Sequence, residues 1–170
     1  MSPNPIKQSI ETAIAYLTSH PDEARYTDSA AVATLESGLR FRVSDPDGRT
    51  ITTDMPKGVG GEGMEPGPGW LFRAALASCI GSLVAMRAAQ TDVKLSVLEV
   101  TVDSESDDRG ILGMDETVSA GPLSMRVSVK MEAQGAGEEV YRELAEWALA
   151  HCPVADAVGS AVELKLELQR

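Results

Sequence analysis

One stretch of the chain has no polar side at all. Between Ala74 and Met86 every residue is apolar or small. A soluble helix that is apolar all round is buried on all sides. The segment from Pro68 or Trp70 to Gln90 therefore reads as a long central helix, and Pro68 suits a first turn, where its missing N–H does no harm. Ala74, Ala75, Ala77, Ser78, Gly81 and Ser82 are small enough to let another backbone approach closely. This favours packing of the helix against its copy in a second subunit.

Elsewhere the periods change. Ile6, Ile10, Ala13, Ile14 and Leu17 recur at helical spacing until His20-Pro21 stops them. They predict an N-terminal accessory helix whose linker ends near Asp28, ahead of one domain over residues 29–170. Ala31–Leu35, Leu39–Val43 and Arg49–Thr53 read as short strands. Glu36-Ser-Gly38 separates the first two, and the turn Asp45-Pro-Asp-Gly48 the next two. Lys57–Gly69 holds six glycines and two prolines in thirteen residues, which makes it a loop. Val93–Asp103 alternates, with a phase slip at Val97-Leu98 that predicts a bulge. Ser104–Gly110 is an acidic turn. Leu123, Met125, Val127, Val129 and Met131 alternate cleanly, as in a strand with one wet face. Gly135–His151 is helical, with Val140, Leu144, Trp147 and Ala148 on one side. Pro153 ends or kinks that helix beside Cys152, and Val162, Leu164, Leu166 and Leu168 predict a closing strand. Strands, long helix, strands, helix, strand amount to an α+β fold with antiparallel pairing.

Composition narrows the partners. A formal charge of −11 over 170 residues argues against nucleic acid, whose phosphates need clustered Lys and Arg, and against anionic membrane surfaces. The start, Met-Ser-Pro-Asn-Pro-Ile-Lys, lacks the apolar core of a signal peptide, and two cysteines are not a disulfide scaffold. The expectation is a soluble, cytoplasmic protein.

Chemistry concentrates at those two cysteines, Cys79 inside the apolar helix and Cys152 in His151-Cys-Pro-Val154. A buried cysteine is usually only a small hydrophobe. A pair can do more: a thiol oxidised by a peroxide becomes a sulfenic acid, which a second thiol traps as a disulfide. Gly60-Gly-Glu-Gly63, Gly67-Pro-Gly-Trp-Leu-Phe-Arg-Ala-Ala-Leu-Ala-Ser-Cys79, Asp108-Arg-Gly110 and His151-Cys-Pro-Val154 form an ordered set. From about Ala31 to the C-terminus this set resembles the OsmC/Ohr family of osmotically induced and organic hydroperoxide resistance proteins.

The resemblance implies an intertwined homodimer, its long buried central helices wrapped by antiparallel β-sheets from both chains. It implies Cys79 as the peroxidatic cysteine and Cys152 as the resolving one. The reaction would reduce an organic hydroperoxide to its alcohol, through a sulfenate on Cys79 and a Cys79–Cys152 disulfide, with no cofactor. An external thiol or a dihydrolipoyl protein would reduce that disulfide. The family also places an arginine from the early strands beside the reactive thiol, held by a glutamate just before the long helix. Arg40 is preferred for that arginine, with Arg42 on the same strand face and Arg49 as further candidates. The glutamate position is taken by Gly69, so Glu62 or Glu65 would have to substitute. Trp70, Leu71, Phe72 and Leu76 are expected to wall the substrate.

Blander readings account for most other features. His151 follows its neighbour by about 100° around a helix and reads as a surface histidine rather than a base for Cys152. Only His20 and His151 exist, so no His-rich metal site and no Ser-His-Asp arrangement can be assembled. Asp103–Asp108 lacks EF-hand spacing, and Gly60–Gly63 lies outside any βαβ unit. One alternative function stands beside peroxidase chemistry: a non-catalytic or differently specific member of the fold that binds a small apolar ligand, which Gly69 favours.

Overall fold

A computed structural model describes residues 4–168. They fall into two compact units, one of residues 11–74 and one of residues 75–170 together with the first ten. Helices α1 (Pro5–Ser19) and α2 (Pro68–Gln90) each contribute residues to both.

The 11–74 unit carries a three-stranded antiparallel sheet in the order β1 (Val32–Ser37), β2 (Arg40–Ser44), β3 (Thr50–Thr53). Val32 pairs with Ser44 at one end, and Phe41 pairs with Thr53. The β2–β3 hairpin closes because Asp45 accepts the Arg49 backbone N–H at 2.9 Å through its side chain. Gly48 there takes a φ of +85°, a left-handed conformation that glycine adopts without strain. The three expected strands are present, each shifted by a residue or two.

In the other unit, β4 (Leu95–Glu105) and β5 (Ser124–Ala133) form a long antiparallel ribbon, with Glu105 opposite Ser124 and Leu95 opposite Ala133. The register slips between Leu95 and Val97, close to the predicted bulge. Strand alternation turns Val100, Val102, Met125, Val127, Val129 and Met131 toward α2, where Leu76, Ile80, Val84 and Ala88 make a buried row at four-residue spacing. Helix α4 (Glu138–Ala150) adds Leu144 and Ala148 to the same core. By length and composition α2 could also cross a membrane, yet this row is the centre of a packed core.

Three expectations need correction. First, α2 is not buried on all sides within one chain: Ala75, Ser78, Ser82 and Met86, opposite the buried row, are exposed. Second, the closing strand does not form. Residues 161–168 have no ladder partner among the described residues, and Leu164, Leu166 and Leu168 are about nine-tenths exposed at 93%, 88% and 87%. An alternating pattern makes a strand only where a sheet edge receives it. Third, Pro153 does more than stop α4. It opens a short further helix, α5 (Pro153–Gly159), at the first-turn position where proline is preorganised. The acidic turn likewise includes one helical turn, α3 (Asp108–Ile111), capped by the Asp107 side chain on the Arg109 N–H.

Candidate active site

The α4–α5 corner brings the two thiols together. Cys152 is 1% exposed and is the N-cap of α5, its Sγ accepting the Ala155 N–H at 3.3 Å. Cys79 is half-buried on α2, beside the core row. The Cys152 thiol and the Val154 backbone N–H are near enough to act on its ionisation. Both sulfurs thus draw on the first turn of one helix, and Pro153 between them has no N–H to offer. Neighbouring thiols close into a disulfide where their Cα atoms lie about 4.4–6.8 Å apart.

Electrostatics within this unit do not favour a thiolate at Cys79. Burial, above all, raises its pKa above the ordinary thiol value, and the neighbouring Cys152 thiol pushes the same way. The Val154 N–H works against them without prevailing. Since the thiolate is the nucleophile, activation of Cys79 needs a further positive charge.

The 11–74 unit holds the predicted arginines. Arg40 is paired twice, through Nε with Glu36 at 3.3 Å and through Nη2 with Glu65 at 3.1 Å. Arg42 shares Glu36 at 3.3 Å. Arg49 is tied to Asp45 and Asp47 at the hairpin turn and is 78% exposed. Of the two candidate glutamates, Glu65 joins Arg40, whereas Glu62 is exposed and its backbone N–H goes to Asp54. Gly69 has room for a side chain, because an added Cβ would meet nothing nearer than Arg73 Nη1 at 3.9 Å. The expected substrate walls separate: Leu76 belongs to the core, while Trp70 and Phe72 are exposed.

Sequence reasoning missed Asp54. It is 3% exposed, directly follows β3, and accepts backbone N–H groups from Met55 at 2.8 Å, Glu62 at 3.0 Å and Met64 at 3.4 Å, while the Gly63 N–H donates to the Met55 carbonyl oxygen at 3.2 Å. Burial pushes its pKa up, but these donors outweigh burial and hold the carboxyl below its ordinary value. Gly61 must be glycine for steric reasons, since a Cβ there would lie 1.8 Å from the Met55 carbonyl oxygen. The glycine-rich loop is therefore wound round one carboxylate, and Glu65 is delivered to Arg40 by that winding. The available signal was an acid between a strand and a run of glycines. Asp54→Ala should speed hydrogen exchange of the Glu62 and Met64 amides. Because the folded-state pKa is lowered, this contribution to stability is present above the ordinary carboxyl pKa and disappears as pH falls through the lowered value. Unchanged exchange at both amides would show that Asp54 does not hold the loop.

Among the described residues no group of three His, Cys, Asp or Glu side chains is arranged to hold a metal ion. A family model for OsmC-like proteins matches residues 60–167. Comparison with curated protein sequences gives no match. Solved structures share the architecture. The organic hydroperoxide resistance protein OsmC from Legionella pneumophila is 21% identical, with 79% of this chain and 90% of that one covered at a TM-score of 0.58. An organic hydroperoxide resistance protein from Elizabethkingia anophelis is 22% identical, covering 79% and 89% at 0.58. An OsmC-like protein from Mycoplasma pneumoniae is 15% identical, covering 79% and 89% at 0.66.

Proposed function

Because the chain belongs to the OsmC-like protein family, we propose that it is a cysteine-based peroxidase that reduces organic hydroperoxides in oxidative stress defence. The nearness of Cys79 to Cys152, each acting on the same core corner, carries the proposal. The Cys79 thiolate attacks the distal oxygen of the hydroperoxide; an S–O bond forms, the O–O bond breaks, and the alkoxide leaves as the alcohol after taking a proton. Cys152 then attacks the sulfenic sulfur, water leaves, and the disulfide holds the two-electron oxidation. An external dithiol, such as a dihydrolipoyl protein, returns both thiols. Arg40, braced by Glu36 and Glu65, is the proposed source of positive charge for Cys79.

Two surfaces support a homodimer as the working form. The exposed side of α2 is small and apolar in part, and the alternating segment from Val162 to Leu168 is exposed and has no ladder partner among the described residues. A second copy would supply both a helix and a sheet edge. Sedimentation at micromolar concentration should give a dimer, and a stable folded monomer would contradict the intertwined arrangement.

The second reading, a ligand-binding member of the family without turnover, draws on Gly69, where the expected carboxylate is missing. Glu65 on Arg40 weighs the other way. Substrate preference separates the two. Alkyl or aryl chains that desolvate against exposed Trp70 and Phe72 gain about 25 cal/mol per Å² buried, and hydrogen peroxide has no such surface. Cumene hydroperoxide should therefore show a higher kcat/KM than hydrogen peroxide. No thiol loss with either peroxide would favour the binder, and equal rates would remove the apolar-pocket argument.

A further inference from the structure

Resting on the two-thiol reaction above, we propose that Arg87, Trp147 and His151 form a positioning device that holds the Cys152 corner against the Cys79 helix. Trp147 lies on α4, five residues before Cys152. His151, the C-cap of α4, folds back on it, with ring centroids 4.3 Å apart and planes 16° from parallel. His151 Nδ1 lies 2.7 Å from the Trp147 carbonyl oxygen; a carbonyl can only accept, so Nδ1 carries the proton. The Arg87 guanidinium, from α2, sits over the same indole at 5.1 Å from its centroid.

The same closure ends α1, where His20 stacks on Tyr16 at 4.3 Å and meets its carbonyl at 3.0 Å. An aromatic residue four positions before a histidine is thus a general way for this chain to finish a helix ahead of a proline. The α4 copy differs in two respects. The residue after its histidine is Cys152, and its aromatic ring is gripped by a cation from the helix that carries Cys79. Beside this grip α2 and α4 leave a cleft of about 450 Å³, lined by Arg87, Thr91, Val93, Val140, Leu144 and Trp147 among others. Packing is open on that side, so the ring contacts carry the alignment there. His151, exposed and adjacent to a thiol, is neither an idle surface residue nor a base; it fixes where Cys152 points.

The test is the equilibrium of the full-length protein with dithiothreitol. Two thiols and the cyclic disulfide of oxidised dithiothreitol exchange to give the Cys79–Cys152 disulfide and the free dithiol, so no peroxide enters the measurement. The equilibrium constant reports how well the two sulfurs are held together. His151→Ala and Arg87→Met should each lower it about tenfold, the size of one aromatic or cation–π contact expressed as an equilibrium constant. His151→Phe, which keeps the stack and loses the hydrogen bond, should lie between these variants and the wild type. A role confined to stability would lower the melting temperature and leave the constant unchanged. A wild-type disulfide with the same constant, within twofold, in all three variants overturns the positioning role alone. A wild-type protein that forms no Cys79–Cys152 disulfide overturns the two-thiol reaction and the positioning role together.

Discussion

Replacing Cys79 by serine is expected to reduce organic hydroperoxide turnover to background, while replacing Cys152 by serine leaves one turnover per chain. The asymmetry follows from the proposed roles. Cys79 is the half-buried thiol, open to a substrate, whereas Cys152 is 1% exposed and already engaged by the Ala155 N–H. A hydroxyl is far less acidic and less nucleophilic than a thiol, so Cys79→Ser removes the attacking group, a loss of about 10⁴-fold or more when nucleophiles are removed from other enzymes. Cys152→Ser keeps the attack and stops before the disulfide. It should release one equivalent of alcohol and leave a sulfenic acid on Cys79 that dimedone traps, visible as a single adduct by mass spectrometry. Full multiple turnover in both variants would end the two-cysteine mechanism.

Such variants could be chosen from the sequence because the apolar period around Cys79 and the Cys-Pro-Val at Cys152 are local features. The α2 helix is legible from its uninterrupted apolar run, and the β4–β5 ribbon and the α4 helix from their periods of 2 and 3.6. What was not legible depends on what a segment meets. Val162, Leu164, Leu166 and Leu168 alternate as well as β5 does, but alternation cannot say which chain supplies the neighbouring edge. The all-apolar α2 says that both sides want cover, and a single chain covers only the side of Leu76, Ile80, Val84 and Ala88. At the site, Glu65 could not be separated from Glu62 by spacing. The choice is made by Asp54, which gathers the Glu62 and Met64 amides and leaves Glu65 to reach Arg40. Pro153 predicts an end or a kink because proline disfavours a helical predecessor; the same ring makes it a good first residue for α5.

Arg40→Met is expected to raise the Cys79 pKa and slow its reaction with hydroperoxide at neutral pH. Burial and the Cys152 thiol already push Cys79 upward, so a working thiolate requires an opposing charge, and Arg40 is the β2 arginine held by two carboxylates, Glu36 and Glu65. Methionine keeps the bulk of the stem and removes the guanidinium. At pH 7 the first-step rate should fall about ten- to a thousandfold, the range one close opposite charge commands over an ionisation. The sign fixes the pH profile. Attack follows the thiolate, so the rate rises with pH and levels off above the Cys79 pKa. The variant's rise should be displaced to higher pH, with the two profiles converging once both thiols are ionised. A loss caused by misfolding would lower the plateau instead and leave the midpoint in place. Arg42→Met should have a smaller effect, because Arg42 shares Glu36 but is not paired with Glu65. Should Arg42→Met move the midpoint and Arg40→Met leave it fixed, Arg42 would be the activating cation. With the midpoint fixed in both variants, neither arginine activates Cys79, and its thiolate must owe its existence to another charge.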